Sequence, residues 1–357
     1  MKHGILYSAL IIIGIGIIVG IFFFVGPAAI FANLQKIGIV GFLAFFGATL
    51  VVIALPIIGL QLILHSHNIK TKIWHTAIGQ FIGNAIGFIT PSLYLGGEPF
   101  KALYLGDLYK TSKSKIFSVA MFGKFQELSC LLFFVYVGTL IMIVKAEELS
   151  LPSGLWTILL IVDVGLGILV FFAIRSIIKN SPVLSNVALW IARRGIFRKR
   201  IEKIVPQIIE LEEMIYQAFK HDWKTGLIAY GFSFLSILVA FLKPAVFFIF
   251  LSGGSEILPL YELAMIFTLT QILLVFHITP GCIGVFEGGQ MGIFKIIGID
   301  DGVAVAYLLI YRFVDLLTTG AGVYLAIHYG LVKFVGKRLE PLKDIQLNNG
   351  NENKPSA

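Results

Sequence analysis

Two carboxylates sit among helix-breaking residues inside long apolar runs: Glu98 in ITPSLYLGGEPF (89–100) and Glu287 in ITPGCIGVFEGG (278–289). Downstream of each stands a base with an acid three residues on, Lys124 with Glu127 and Arg312 with Asp315. That spacing puts each base and its acid on one helix face. A charge near the centre of a bilayer costs about 2.5–3.5 kcal/mol on insertion scales, so these side chains need a reason to be there. One reason is structural, pairs that neutralise each other in place. The other is a ligand: Arg312 suits a phosphate through bidentate donors and Lys124 as a point charge, with Glu127 and Asp315 orienting them. Glu98 precedes Pro99, which suits a helix start, where the dipole stabilises a carboxylate. An acid there repels a bare phosphate. Glu98 and Glu287 therefore suit an amine, a hydroxyl or a coupled proton, or else serve the helix start alone.

The elements around them are membrane elements. The chain has 357 residues, 57% hydrophobic and only 13% charged. Soluble domains carry roughly 25% charged residues, so this is an all-α polytopic membrane protein by composition. Runs long enough to span, which takes about 20 residues, are 5–25, 37–64, 76–96, 116–144, 155–174, 226–251 and 303–331. The first is longer than a signal-peptide core and Gly26-Pro27 is a poor cleavage site, so it reads as a retained helix. Cys130 and Cys282 lie in apolar segments and form no disulfide framework. His65 and His67 have no third ligand nearby and read as interfacial rather than metal-binding. Neither a nucleotide loop nor a nucleophile elbow occurs, so no enzyme activity, cofactor or metal is expected.

The net charge of +8 lies in short connections, as the positive-inside rule expects, rather than in a nucleic-acid patch. Lys2 and His3 place the N-terminus in the cytoplasm. Lys70 and Lys72 on one side of 76–96, and Lys110, Lys113 and Lys115 on the other, put both flanks of that run on the same face. A re-entrant hairpin near 76–110 satisfies this. Glu256, Glu262, Asp300 and Asp301 likewise put both ends of a second hairpin, near 260–299, outside. Its final span returns to a cytoplasmic C-terminus with Lys333, Lys337 and Arg338. Between them, 180–224 reads as a cytoplasmic amphipathic insertion whose basic stretch 193–203 suits anionic inner-leaflet lipid.

The halves also match in register. Ile89-Thr90-Pro91 and Ile278-Thr279-Pro280 lie 189 residues apart, as do Glu98 and Glu287; KFQEL (124–128) and RFVDL (312–316) lie 188 apart. The expected architecture is thus an inverted-topology repeat, each half with three transmembrane helices and one re-entrant hairpin. The first repeat covers 1–150, the second 151–335, and 336–357 form a polar cytoplasmic tail. Thr90, Pro91, Gly96 and Gly97 would form one hairpin tip, and Thr279, Pro280, Gly281 and Gly284 the other. Broken backbone at that depth is tolerated only where protein buries it or a watery cavity adjoins it. Asp163 and Lys243 break the symmetry, Ile13 and Leu55 standing at their places in the other half; they suit a role in direction or coupling, with a mutual pair the plainer expectation.

TPGCIGVFEGGQMGIFKIIGID followed by YRFVDLLTTGAG, with GGEPFKALYL earlier, resembles the lysylphosphatidylglycerol synthase/flippase transmembrane-domain family across most of 1–340. Cys282 stands where that family's pattern often has a second Gly, and Lys124 where an Arg is expected. The resemblance implies a lipid flippase-like fold in the cell membrane. In two-domain members the module translocates aminoacylated phosphatidylglycerol made by a cytosolic aminoacyltransferase domain. Such a domain is not expected here, so synthase activity is not carried over. The substrate implied is a membrane phospholipid or, as in some stand-alone members' settings, a polyprenyl-phosphate lipid. Rival expectations are an ion-coupled carrier of a small amphipathic solute, a membrane enzyme acting on lipid phosphate, and an accessory subunit of a lipid or glycan synthase.

Overall fold

The computed structural model describes residues 27–90, 96–145, 153–179, 222–255, 257–275 and 279–330, with isolated positions between 185 and 220. The run at 5–25, Pro91, the acidic pair Glu147 and Glu148, Glu256, most of the basic stretch 193–203 and the tail lie outside them. The described residues form nine α-helices, one 3-10 turn and no strand. They are α1 (Pro27–Ser66), α2 (Ile73–Ile89), α3 (Glu98–Tyr109), α4 (Lys113–Val144), α5 (Ser153–Lys179), α6 (Trp223–Leu251), α7 (Leu260–Val275), α8 (Val285–Ile297) and α9 (Asp301–His328), with the turn at Pro280–Cys282 before α8.

Four of these, α1, α4, α6 and α9, are long and apolar enough to cross a membrane. Their outer faces carry large apolar side chains in the open, among them Ile39, Val40, Leu227, Ile228, Leu316 and Ile327. Such faces would aggregate in water and suit lipid. The long helices agree with the expected spans to within about five residues, with two exceptions: α2 ends at Ile89, short of the expected 96, and α1 reaches back to Pro27 and breaks at Gly38 (φ 61°, ψ −177°). Only glycine adopts that backbone at little cost.

Pro56 inside α1 lacks the N–H that would bond the Val52 carbonyl four residues back. Ser236 of α6 donates its hydroxyl to that carbonyl at 2.8 Å. The carbonyl freed by Pro56 is thus tied to the partner helix, and α1 against α6 is the most extensive contact in the fold.

The remaining packing comes in matched relationships. Helix α2 lies against α9 as α7 lies against α4; α2 meets α3 as α7 meets α8; α4 meets α6 as α9 meets α1. Exchanging α1–α4 with α6–α9 maps nearly every contact onto another that is present. Two differ: α1 against α4 has no extensive counterpart, and α3 meets α4 more extensively than α8 meets α9. Two large apolar clusters draw on both sets of helices. One joins Leu60, Ile82, Phe100, Leu105 and Phe122; the other joins Phe45, Phe247, Leu269, Phe294 and Tyr307.

Where α2 and α3 meet, the backbones nearly touch. A Cβ on Gly97 would overlap the Gly83 carbonyl, so no other residue fits without moving a helix. The second break needs glycine for conformation instead: Gly281 (φ 65°) and Gly284 (φ 86°) both lie at positive φ. Cys282 also has φ 54°, a conformation that favours glycine. That explains physically why a Gly suits this position. The two breaks approach each other, since a side chain on Gly281 would run into the Phe88 ring near the end of α2.

Candidate functional site

Glu98 is the first residue of α3, with Gly97 before it and Pro99 after it, as its sequence context suggests. The cation beside it was not singled out from sequence. Lys101, three residues on, donates to Glu98 Oε1 at 2.8 Å, and both are buried, at 4% and 2% exposure. The other oxygen, Oε2, is buried with no hydrogen-bond partner among the described residues. The signal for Lys101 was available, because its spacing from Glu98 matches that of Lys124 and Glu127.

Lys124 and Glu127 do pair, Nζ to Oε2 at 3.0 Å, on α4. Lys124 is buried, whereas the Glu127 side chain is 26% exposed. Lys124 is also electrostatically coupled to Glu98, so α3 and α4 bring the two pairs together. A small, partly open pocket adjoins them, walled by Pro56, Leu60, Gln80, Lys101, Lys124 and Glu127, with Gln126 and Ser233. Gln126 donates to the Gly226 carbonyl at 2.7 Å, tying α4 to the start of α6.

The second cluster is wired differently. Arg312 does not chiefly serve Asp315, which lies 4.0 Å from Nη1. Its Nε donates to Glu287 Oε1 at 2.6 Å, Nη1 to the Gly281 carbonyl at 2.9 Å and Nη2 to the Cys282 carbonyl at 3.4 Å. The guanidinium also stacks over the Phe286 ring at 4.5 Å. Glu287 uses its second oxygen, Oε2, to accept the Gly284 N–H at 2.6 Å, an acid in the third helical position reaching back to the cap. Arg312 and Glu287 thus lock the 3-10 turn onto α9. Both oxygens of Glu287 serve the protein.

The expected pairing of Lys243 with Asp163 is not the one the structure makes. Lys243 lies over the rings of Phe45 (4.9 Å) and Tyr311 (4.2 Å) and is coupled to Asp315, while Asp163 sits beside Thr139. Aromatic faces attract cations, which explains a lysine there. Each cluster then balances two acids with two bases: Glu98 and Glu127 with Lys101 and Lys124; Glu287 and Asp315 with Arg312 and Lys243.

Among the tip residues, Thr279 donates across its turn to the Ile283 carbonyl at 3.0 Å. Thr90 instead bonds back to Ile86 O at 2.6 Å, closing the last turn of α2. Gly96 forms a turn with Gly97 directly before α3, and Pro280 opens the 3-10 turn. His65 and His67 face backbone: His65 bonds Gln61 and the Thr71 carbonyl, His67 the Ile63 carbonyl.

Apolar helices, two breaks in the helical backbone and charge clusters buried beside them define a multi-pass membrane protein. The chain matches the family described as the lysylphosphatidylglycerol synthase TM region over residues 11–322, and it belongs to that family. It is 24% identical over 335 residues to a UPF0104 membrane protein of Methanothermobacter thermautotrophicus, covering 92% of this chain and 96% of the relative. A UPF0104 membrane protein of Pyrococcus horikoshii is 25% identical over 264 residues, 71% of this chain and 76% of the relative. No solved structure matches it.

Proposed function

We propose that the protein is a flippase for a lipid with a phosphate-bearing headgroup, a phospholipid or a polyprenyl-phosphate lipid, in the cell membrane. The headgroup enters a charged cavity beside the broken helices while the chains stay in the bilayer. One observation carries the reading: two balanced clusters of charge, the first mostly buried and the second half-buried, each beside a break in the helical backbone, in a chain whose surface is built for lipid. Buried ion pairs are rarely a source of stability, since hydrophobic groups of the same shape often do better. Membership of a family described as the membrane region of a lipid synthase supports a lipid as the ligand.

The exchangeable packing of α1–α4 and α6–α9 supports an inverted repeat, with α2–α3 and α7–α8 as re-entrant hairpins from opposite faces. Transporters with such repeats bind near the midplane and rock one repeat against the other. Trp74 and Trp223 are exposed at the starts of α2 and α6, both assigned by lysine placement to the cytoplasmic side, where indole rings favour the interface. The termini are cytoplasmic in this arrangement, and residues 193–203 face anionic lipid. Transport runs downhill or on an ion gradient.

The test is translocation of headgroup-labelled phospholipid in proteoliposomes. Arg312→Ala and Glu287→Gln should each slow it at least about tenfold, the factor expected when a charge-assisted bond is lost. Wild-type rates in both variants would overturn the assignment.

A further inference from the structure

We propose that Lys101 and Lys124 together hold the headgroup phosphate, and that Glu98 is the resident acid with which that phosphate competes for Lys101. The proposal rests on the lipid reading above and locates its ligand in the first cluster alone.

Lys101 walls the pocket, whereas Glu98, its ion-pair partner, does not. The Lys101 side chain therefore links a buried carboxylate to the pocket wall. Lys124 reaches the same wall from α4, steadied by Glu127. Gln80 and Ser233 add neutral hydrogen-bonding groups, a polar lining in a stretch of chain that is otherwise apolar. Two ammonium groups converging on one space suit a phosphate, which accepts charge-assisted hydrogen bonds on several oxygens.

The local sequence makes room for this lysine. The Lys101 stem lies across Gly83, where a Cβ would meet its Cγ at 2.9 Å, so α2 is left bare where the side chain passes. The equivalent place in the second half, 189 residues on, holds Gln290, whose amide is turned to Thr270. There the strong cation, Arg312, is spent on Glu287 and two carbonyls of its own turn. The second cluster is thus a clamp, and Arg312 acts on transport by positioning that turn.

The experiment is calorimetric titration of the full-length protein in detergent with dihexanoyl phosphatidylglycerol, and separately with inorganic phosphate. Wild type should bind the lipid, with inorganic phosphate competing weakly. Lys101→Met should weaken binding about tenfold or more, Lys101→Arg should restore it to within about threefold, and Glu98→Gln should tighten it by releasing Lys101 from its acid. A purely structural pair predicts no gain for Glu98→Gln. Since Lys101→Met strands a buried carboxylate and can unfold the protein, the Glu98→Gln/Lys101→Met double, which removes both charges, is measured too. Loss of affinity in the folded double supports the site. Lipid binding of wild-type strength in the double overturns it and leaves the lipid reading standing. Phosphate binding that depends on Lys101, with no lipid binding, overturns the lipid reading instead. Binding of neither probe overturns the phosphate assignment itself.

Discussion

Lys101 neutralises Glu98 from its own helix at 2.8 Å, while Gln290, at the equivalent place in the second half, leaves Glu287 to find its cation on α9. One residue difference thus separates a self-contained ion pair from an interhelical lock. It also shifts the fourth charge of the second cluster onto Lys243, which stands where the first half has Leu55.

That balance predicts the behaviour of Lys243. Lys243→Met leaves the second cluster with one acid in excess, removes a cation from the rings of Phe45 and Tyr311, and should destabilise the protein by about 1–2 kcal/mol. Lys243→Met/Asp315→Asn restores neutrality and should recover most of the loss. Thermal unfolding in detergent checks both. A double variant as unstable as the sum of its singles would refute the coupling.

The lock on the second turn predicts a similar rescue. Glu287→Gln and Arg312→Met should each cost about 3–5 kcal/mol, since each strands the other's charge, while the double should cost less than either. Equal losses in all three would mean that the pair is not a unit.

How much of this was legible in the sequence depends on how far apart the partners lie along the chain. The cores of the long helices, the two breaks and the pairing of Lys124 with Glu127 follow from hydropathy, Pro and Gly placement and i,i+3 spacing. Arg312 was assigned by that spacing to Asp315, yet its fork is spent on Glu287 and two turn carbonyls brought in from α8 and the 3-10 turn. Breaking the symmetry of the halves suggests that Lys243 and Asp163 pair, but the rings that receive Lys243, Phe45 and Tyr311, come from α1 and α9. Helix spacing reports neighbours on one face, whereas tertiary partners come from elsewhere. Lys101 is the exception, a local partner overlooked.

The carbonyl freed by Pro56 in α1 makes a finer prediction. Ser236→Ala removes the donor to the Val52 carbonyl and should cost about 1 kcal/mol. In a Pro56→Ala background the helix can satisfy that carbonyl itself, so the same change should cost nearly nothing. A double-mutant cycle by chemical or thermal unfolding reads the difference.

The near contact of α2 and α3 separates two glycines that sequence alone cannot rank. Gly97→Ala drives a methyl group into the Gly83 backbone and should destabilise by about 2 kcal/mol or more. Gly288→Ala, inside α8 with open space around it, should be neutral or stabilise by about 0.5–1 kcal/mol. Relative yield and melting temperature of the two purified variants give the comparison.

The central claim is that α2–α3 and α7–α8 enter from opposite faces and return without crossing, leaving the charge clusters between them. Single-cysteine labelling in sealed vesicles tests it directly, with Lys70→Cys and Lys110→Cys flanking the first pair and Ser255→Cys and Asp301→Cys the second, all exposed positions. The account predicts that the first two react from the cytoplasmic face and the last two from the other. Reaction of Lys70→Cys and Lys110→Cys from opposite faces would make α2–α3 a simple crossing and contradict it.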